Sequence, residues 1–344
     1  MRNYNLVKKQ RNVFFDIVRI LCTFEIVGFW HLFNYADSSN SIWMFELFYN
    51  KVGSTLTMIS MSIFMFMSGY FLRKYDILVM SDFLFFFKKR FSRFYVLFVL
   101  SVLTLYLGSC FSDKQWFSGG LTQLVLTLLG FNTFFPPQPG TIWFISMLLL
   151  FYILTPFVLY VKTYRNRWLL VFMFYSIMLY FNYNCNEIDS RFWELFPMYI
   201  IGLLWQNSWK KRFVMSLSLF LLLGGIISSY YLIVPCANLI ISFSICGLLV
   251  CTSSMNISCC LPYYFQRIIL NCSSATMCLY LFHRQFFQVF LIISNKIGFP
   301  LTYSFLLFFW LPIAWYASYI MQKCYDILER KYFRVSSLDY DINK

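Results

Sequence analysis

Long apolar runs alternate with short clusters of charge along the whole of the 344-residue chain. A helix that crosses a membrane needs roughly 17 to 25 mostly apolar residues. Ten runs meet or approach that length: 13–34, 52–72, 83–109, 141–161, 168–183, 192–207, 213–233, 236–253, 266–294 and 300–323. The fifth, sixth and eighth are the shortest. The pattern predicts an all-α integral membrane protein, a bundle of ten transmembrane helices forming one domain over residues 1–344. A short basic segment at 1–12 precedes the bundle and a tail from 324 follows it. The run 119–133 is apolar but too short to cross, and "PPQPG" at 136–140 ends it, so it is expected to lie in the interface or re-enter. No fixed-period repeat is visible, which disfavours an inverted-repeat transporter.

Composition agrees with this reading. Hydrophobic residues make up 60% of the chain and charged residues only 12%, against about a quarter in soluble domains. Mean hydropathy is +0.64. The aromatic share of 23% suits lipid-facing and interfacial packing. A net charge of +14 would suggest nucleic acid in a soluble chain. Here the cations sort by side. With the N-terminus in the cytoplasm, 22 of the 28 Lys and Arg fall on inner segments and four, Lys51, Lys114, Arg191 and Lys296, on outer ones. Such a split is the positive-inside signature. It predicts both termini in the cytoplasm and leaves no charge signal calling for nucleic acid. The first run is about 20 residues long, beyond the apolar core of a secretory signal, and no small-residue cleavage site follows it, so it reads as a retained span.

The eleven cysteines contain no C-x-x-C pair and suggest neither a zinc site nor a disulfide framework. Cys22, Cys246, Cys251, Cys278 and Cys324 lie in apolar runs and are expected to behave as small buried hydrophobes. Cys110 and Cys185 both fall near outer loops, where a bridge is conceivable.

Ionisable groups inside the apolar runs are the candidates for chemistry, because a membrane span has no cheap way to hold them. The first run, "FFDIVRILCTFEIVGFWHLF", carries Asp16, Arg19, Glu25 and His31. Asp16 and Arg19 stand one turn apart at its cytoplasmic start. They form either a local ion pair or a pair whose Arg19 lines a polar cavity. His31 lies 15 residues beyond Asp16, about 22 Å along a helix. The second of the two histidines, His283, stands 16 residues past Arg267, the last inner charge before its span. Both spans run outward, so the two imidazoles are expected at comparable depth. Histidine suits general-base work near neutral pH. Glu25 is six residues from His31, about 120° around a helix, so it is not expected to pair with His31 and either faces another helix or sits protonated. At the start of the third span, "KKRFSR" puts Arg90 and Arg93 on one flank, with Lys89 one turn from Arg93. This patch is either topogenic charge or a grip for phosphates.

Five motifs in order bring these residues together. They are Asp16-x-x-Arg19 with His31 further along the first span, Ser68-Gly69-Tyr70-Phe71-Leu72 closing the second, and Arg90-x-x-Arg93 opening the third. The mid-chain "WFISMLLLFYILTP" contains Trp143, Phe144, Tyr152 and Pro156, and the late "YLFH" contains Tyr280, Leu281 and His283. In these the chain resembles the acyltransferase-3 family of membrane proteins, which includes O-acetyltransferases of surface polysaccharides. Ten spans with both ends inside are also typical of that family. The resemblance implies acyl-CoA, most simply acetyl-CoA, as co-substrate, with no metal. It implies a saccharide hydroxyl as acceptor and a bacterial inner membrane as location. Arg90, Arg93, Lys89 and Arg19 would hold the donor's phosphates. His31 would act as base, directly or through an acyl-imidazole, and His283 would orient the acceptor or donate to the developing oxyanion. Asp16, Ser68 and Trp143 would support the site. Trp143, like Trp30 and Trp43, would either stack on sugar or belong to an interfacial belt.

Two departures from the family pattern stand out. Eleven residues separate Arg19 from His31 where ten are usual, which turns His31 from about 20° to about 120° away from Arg19 on an ideal helix. A one-residue π-bulge, with Gly28 as the weak point, would absorb the difference. The glutamate that many members carry after the Trp signature is also absent, with Met147 and leucines in its place. The competing reading is a transporter or flippase of a lipid-linked saccharide. A polymerase- or ligase-type glycosyltransferase fits less well, since the largest outer loop, 110–140, holds only Asp113 and Lys114.

Overall fold

The computed structural model describes residues 12–33, 35–36, 52–75, 77–110, 120–135, 140, 142–185, 188–206, 208–231, 234–253, 261–299 and 301–332. Every regular element among them is helical. α1 runs over Val13–Thr23 and continues as a π-helix over Phe24–His31. There follow α2 (Ser54–Leu72), α3 (Met80–Cys110), α4 (Gly120–Leu128), α5 (Trp143–Tyr160), α6 (Tyr164–Cys185), α7 (Phe192–Leu203), α8 (Lys211–Tyr231), α9 (Val234–Ser253) and α10 (Tyr263–Ile297). α11 begins at Tyr303–Phe305, passes through a second π-helix at Leu306–Trp310 and ends in Leu311–Tyr332.

Eight of these helices are long and apolar enough to cross a membrane, and the chain is a multi-pass membrane protein. α7 has 12 residues, about 18 Å of rise, and is shorter than the run expected over 192–207. It contains Pro197, and eight of its twelve residues are buried while the other four are half-buried. The run 119–133 forms the nine-residue α4, too short to span, packed on α3 and α5.

Side-chain contacts place the helix ends. Asn12 Nδ2 donates to the Ser253 carbonyl, joining the start of α1 to the end of α9. Cys251 contacts the Lys211 carbonyl, bringing in the start of α8. Arg90 donates to the Tyr75 hydroxyl, joining the start of α3 to the end of α2. Tyr325 donates to the Ser92 carbonyl, adding the end of α11. The ends of α2, α5 and α7 and the start of α6 line one pocket. Successive long helices therefore alternate in direction across the described bundle.

α2 and α7 cross at the centre, where Gly69 and Gly202 face each other's backbone. A Cβ on Gly69 would lie 2.1 Å from the Tyr199 carbonyl oxygen, and one on Gly202 would lie 2.2 Å from that of Phe66. Small residues at such a crossing let two backbones approach within a membrane. The glycine of the "SGYFL" motif is thus a packing requirement.

Around this crossing the core is aromatic. Phe151 packs on Phe192, Phe196 and Tyr199 at 5.1–5.8 Å between ring centroids, and Phe66, Phe86 and Phe98 are fully buried. Aromatic residues therefore fill the interior as well as the lipid face. The outer helices α6 and α8 expose apolar side chains such as Phe172 and Phe220, 68% and 73% exposed, as lipid-facing helices do. Cys22, Cys246 and Cys278 are buried as expected, whereas Cys251 is half-buried and Cys324 exposed. The Cys110 side chain, and with it the conceivable bridge to Cys185, lies outside the described residues, as do Trp43 and both chain ends.

Candidate active site

The site begins with the register of α1. An α-helix over residues 19–31 would turn His31 away from Arg19. The π-helix over Phe24–His31 widens the turn and takes up the additional residue. Gly28 lies within it, and the altered stretch covers eight residues rather than one. As a result both side chains face α10. Arg19 Nη1 donates to Ser273 Oγ at 3.2 Å, and the His31 ring stacks on that of His283.

Widening a helix displaces carbonyls from their usual donors, and a stranded carbonyl is costly in lipid. The Gly28 carbonyl accepts from the Tyr303 hydroxyl at 3.0 Å. On its Cα side there is no room, since a Cβ would lie 2.7 Å from Leu311 Cδ2. Tyr303 and Leu311 flank the second π-helix, so the irregular turns of α1 and α11 pack against each other.

The two imidazoles stand 4.7 Å apart between centroids and only 4° from parallel. His31 is 7% exposed and His283 is wholly buried. His283 Nδ1 lies 2.8 Å from the Tyr280 carbonyl. A carbonyl only accepts, so Nδ1 carries the hydrogen and Nε2 the lone pair. Neither His283 Nε2 nor His31 Nδ1 has a hydrogen-bond partner among the described residues. Two buried imidazole nitrogens with unmet hydrogen bonds are unusual in a merely structural pair. Arg284 follows directly in sequence, and its charge acts on both imidazoles and on Tyr35 and Tyr280. The backbone of Gly140 closes on its guanidinium, where a Cβ would come within 2.8 Å of Nη2. By sequence Arg284 is a cation inside the apolar run 266–294. Its adjacency to His283 was the available signal.

A chain of ring contacts leads from this pair to Trp143. His283 neighbours Tyr280 at 6.1 Å, Tyr280 meets Phe144 at 5.6 Å, and Phe144 meets Trp143 at 5.9 Å. The Arg191 guanidinium lies over Trp143, 3.6 Å from the ring centroid. A fork of bonds to Asp189 at 2.5–3.0 Å fixes Arg191. Trp143 is 6% exposed, so it is a buried partner of Arg191 rather than a member of an exposed belt. Beside Asp189, whose N–H donates to the Thr133 carbonyl, the Asn132 amide and the Thr133 hydroxyl are buried without partners among the described residues.

The other predicted residues occupy the opposite part of α1 and its surroundings. Asp16 Oδ1 accepts from Arg19 at 3.1 Å and from Ser273 at 2.6 Å. Of the two readings of Arg19, the ion pair is present, and Ser273 of α10 completes it. Lys89 and Arg90 gather at Tyr75. Arg90 donates to its hydroxyl at 3.2 Å, and each cation lies 5.1–5.4 Å from its ring centroid. Arg90 Nε is buried and unpartnered among the described residues. Arg93 is exposed and Ser68 half-buried beside the Gly69 crossing. Glu25 faces α2, where the Thr57 hydroxyl donates to its Oε1 at 2.9 Å. Among the described residues no cluster of three or more His, Cys, Asp or Glu is close enough to hold a metal.

The arrangement combines imidazole acceptors in a water-poor setting with a cationic opening at the far end of the same bundle. That is the equipment for moving a proton while an anionic substrate is held. A family model described as an acyltransferase domain matches residues 12–320. No curated protein and no solved structure matches the chain. The match covers nearly the whole sequence, including α1 through most of α11, and the chain belongs to the acyltransferase-3 family of membrane acyltransferases.

Proposed function

We propose that the protein transfers an acyl group, most simply acetyl, from cytoplasmic acyl-CoA to a hydroxyl of a saccharide. The acceptor is a cell-surface polysaccharide or its lipid-linked precursor. The observation that carries this reading is the buried, parallel pair of His31 and His283 with unmet nitrogens, inside a family of acyltransferases. The protein would lie in a bacterial inner membrane with ten crossings and both termini cytoplasmic. The alternating helix directions and the charge asymmetry support that orientation.

The donor supplies an activated thioester. Its nucleotide phosphates would meet Arg90, Lys89 and Arg93, and the orphaned Arg90 Nε fits an anion there. Arg19, tied to Asp16 and Ser273, would hold the wall of the path inward. His31 takes the proton of the acceptor hydroxyl as its oxygen forms the new C–O bond. The C–S bond breaks, and the leaving thiolate recovers that proton from His31. An acyl-imidazole on His31 is the two-step version of the same exchange. With its Nδ1 hydrogen held by the Tyr280 carbonyl, neutral His283 offers an acceptor at Nε2. It therefore orients the acceptor hydroxyl rather than donating to an oxyanion. Arg284, cationic and adjacent, is the better counter-charge for the oxyanion.

The test is acetyl release from the native glycan of cells carrying the wild type, His31→Ala or Arg93→Ala, at matched membrane abundance. Loss of acylation with His31→Ala is expected. Full acylation by that variant refutes the assignment of the base, and movement of saccharide without any acyl transfer would favour a transporter.

A further inference from the structure

The end of the bundle that carries Arg90 also holds a second cationic feature. A pocket of about 560 Å³ opens where α2, α5 and α7 end and α6 begins, lined by Arg73, Lys74, Lys162, Tyr164, Arg167 and the chain from Leu203 to Gln206. Four cations line it, and no carboxylate does so among the described residues. Topogenic charge alone does not produce such a place. Lys88 and Arg165, for example, stand exposed on the surface outside it.

Its two arginines are fixed from behind. Arg167 donates from Nε to the Val161 carbonyl at 2.7 Å and from Nη2 to the Leu159 carbonyl at 3.1 Å. Those bonds also satisfy the carbonyls that α5 leaves open at its end. Arg73 donates from Nη1 to the Trp205 carbonyl at 3.1 Å and lies 3.8 Å over the Tyr70 ring. The Tyr164 hydroxyl donates to the Leu204 carbonyl at 3.2 Å and holds the rim together. Guanidinium groups held in this way lose little further freedom when they bind, and their planar forks match phosphate oxygens. Lys74 and Lys162, both exposed, add charge at the mouth. The volume accommodates a phosphorylated headgroup or the phosphate-bearing end of a nucleotide.

We propose that this pocket is a phosphate-binding site, in which Arg73 and Arg167 take the phosphate oxygens and Lys74 and Lys162 attract it. The proposal does not depend on the acyl-transfer reading. A bound phosphate could come from a soluble nucleotide such as CoA or from an anionic lipid headgroup, and two binding arms separate these sources.

In the first arm, the full-length protein in phosphatidylcholine nanodiscs is titrated with CoA. In the second, nanodiscs containing phosphatidylglycerol are used, and lipid retained by the protein is read by native mass spectrometry. The variants are Lys74→Gln/Lys162→Gln, which changes only exposed side chains, and Arg167→Gln with Arg167→Lys as its charge-keeping partner. Loss of two charged contacts is expected to weaken binding about tenfold in one arm, and added salt should weaken the wild type in that same arm. Arg167→Lys should recover only part of the loss, because it keeps the charge and gives up the fork. A fall in the first arm identifies a nucleotide phosphate, and a fall in the second a lipid headgroup. If the double variant retains wild-type behaviour in both arms, or the wild type binds neither probe, the pocket is not a phosphate site.

Discussion

Gly69→Ala should be among the most damaging small substitutions in the protein, and the reason is the depth of the α2–α7 crossing. The new Cβ would sit 2.1 Å from the Tyr199 carbonyl oxygen and 2.8 Å from the Leu203 nitrogen, whereas ordinary contact begins at 3.4 Å. Both atoms are backbone, so no side-chain rotation relieves the clash, and the helices must part by roughly 1 Å. Overpacking of this kind costs about 1–3 kcal/mol or more, against at most about 1 kcal/mol gained from alanine's better helix propensity. Gly108 is the control. It lies in α3 with nothing within 4 Å of its would-be Cβ, so Gly108→Ala should be neutral or stabilising by up to about 1 kcal/mol. The assay is the thermal midpoint of the purified full-length protein in one detergent, with membrane abundance as a second readout. Gly69→Ala should fall several degrees below the wild type, Gly202→Ala should follow it, and Gly108→Ala should not fall. If Gly69→Ala is as stable as Gly108→Ala, the close crossing is wrong, and with it the packing explanation of the "SGYFL" motif.

Further outcomes follow from the site. Tyr303→Phe removes the donor to the Gly28 carbonyl and should cost about 0.6–1.7 kcal/mol, the range for hydrogen bonds between membrane helices. If Tyr303 positions His31 through the π-helix, kcat should fall while the donor KM stays unchanged. Asp16→Ala leaves Arg19 without its carboxylate. Arg19 keeps 29% side-chain exposure, so the loss should be about 2 kcal/mol rather than the ~3–5 kcal/mol of a fully buried pair. Asp16→Ala/Arg19→Ala should then be less damaging than the sum of the single changes in a double-mutant cycle of thermal stability. His283→Ala should lower the acylation rate, with abundance unchanged. Arg191→Ala should loosen Trp143, seen as a red-shifted tryptophan emission relative to the wild type.

Much of the architecture was legible because hydrophobicity in a membrane chain is nearly one-dimensional. Each of the ten apolar runs contains a helix, and the boundaries of α5 differ from the expected span by one or two residues. α11 departed furthest, running nine residues past its expected end at 323, and α7 stops four residues short of 207, since a short, buried helix needs no full-length apolar run. The pairing of the histidines was legible by counting residues outward from the nearest inner charges, because rise per residue converts sequence into depth. Much else was hidden. Apolar residues on every face of α1 do not distinguish a π-turn from an α-turn, and only the spacing of Arg19 and His31 hinted at it. Tyr303 and Ser273 reach α1 from more than 250 positions away. The residues of the cationic pocket are spread from Arg73 to Arg167, with no local pattern to join them. Arg191 was counted by side of the membrane and Arg284 as a residue within a span, and neither placement says what a guanidinium stacks on.

The π-helix does more than correct a count, because α1 is fastened to α10 at two levels. At one level Asp16, Arg19 and Ser273 form a closed set of hydrogen bonds. At the other His31 lies flat on His283. Two fastenings on the same pair of helices fix both the spacing and the rotation between them. With eleven residues between Arg19 and His31, an unbroken α-helix could satisfy only one. The wide turn satisfies both, and its cost is met locally by the Tyr303 hydroxyl and by the fit of Gly28 against Leu311. α11 is therefore the buttress that lets α1 hold its irregular form. Glu25 lies on the same widened stretch and bonds to Thr57 of α2, so the turn is held from two further helices while its last residue, His31, meets α10. Three helices converging on one irregular segment is an arrangement that holds a single side chain in place. In α1 that side chain is His31.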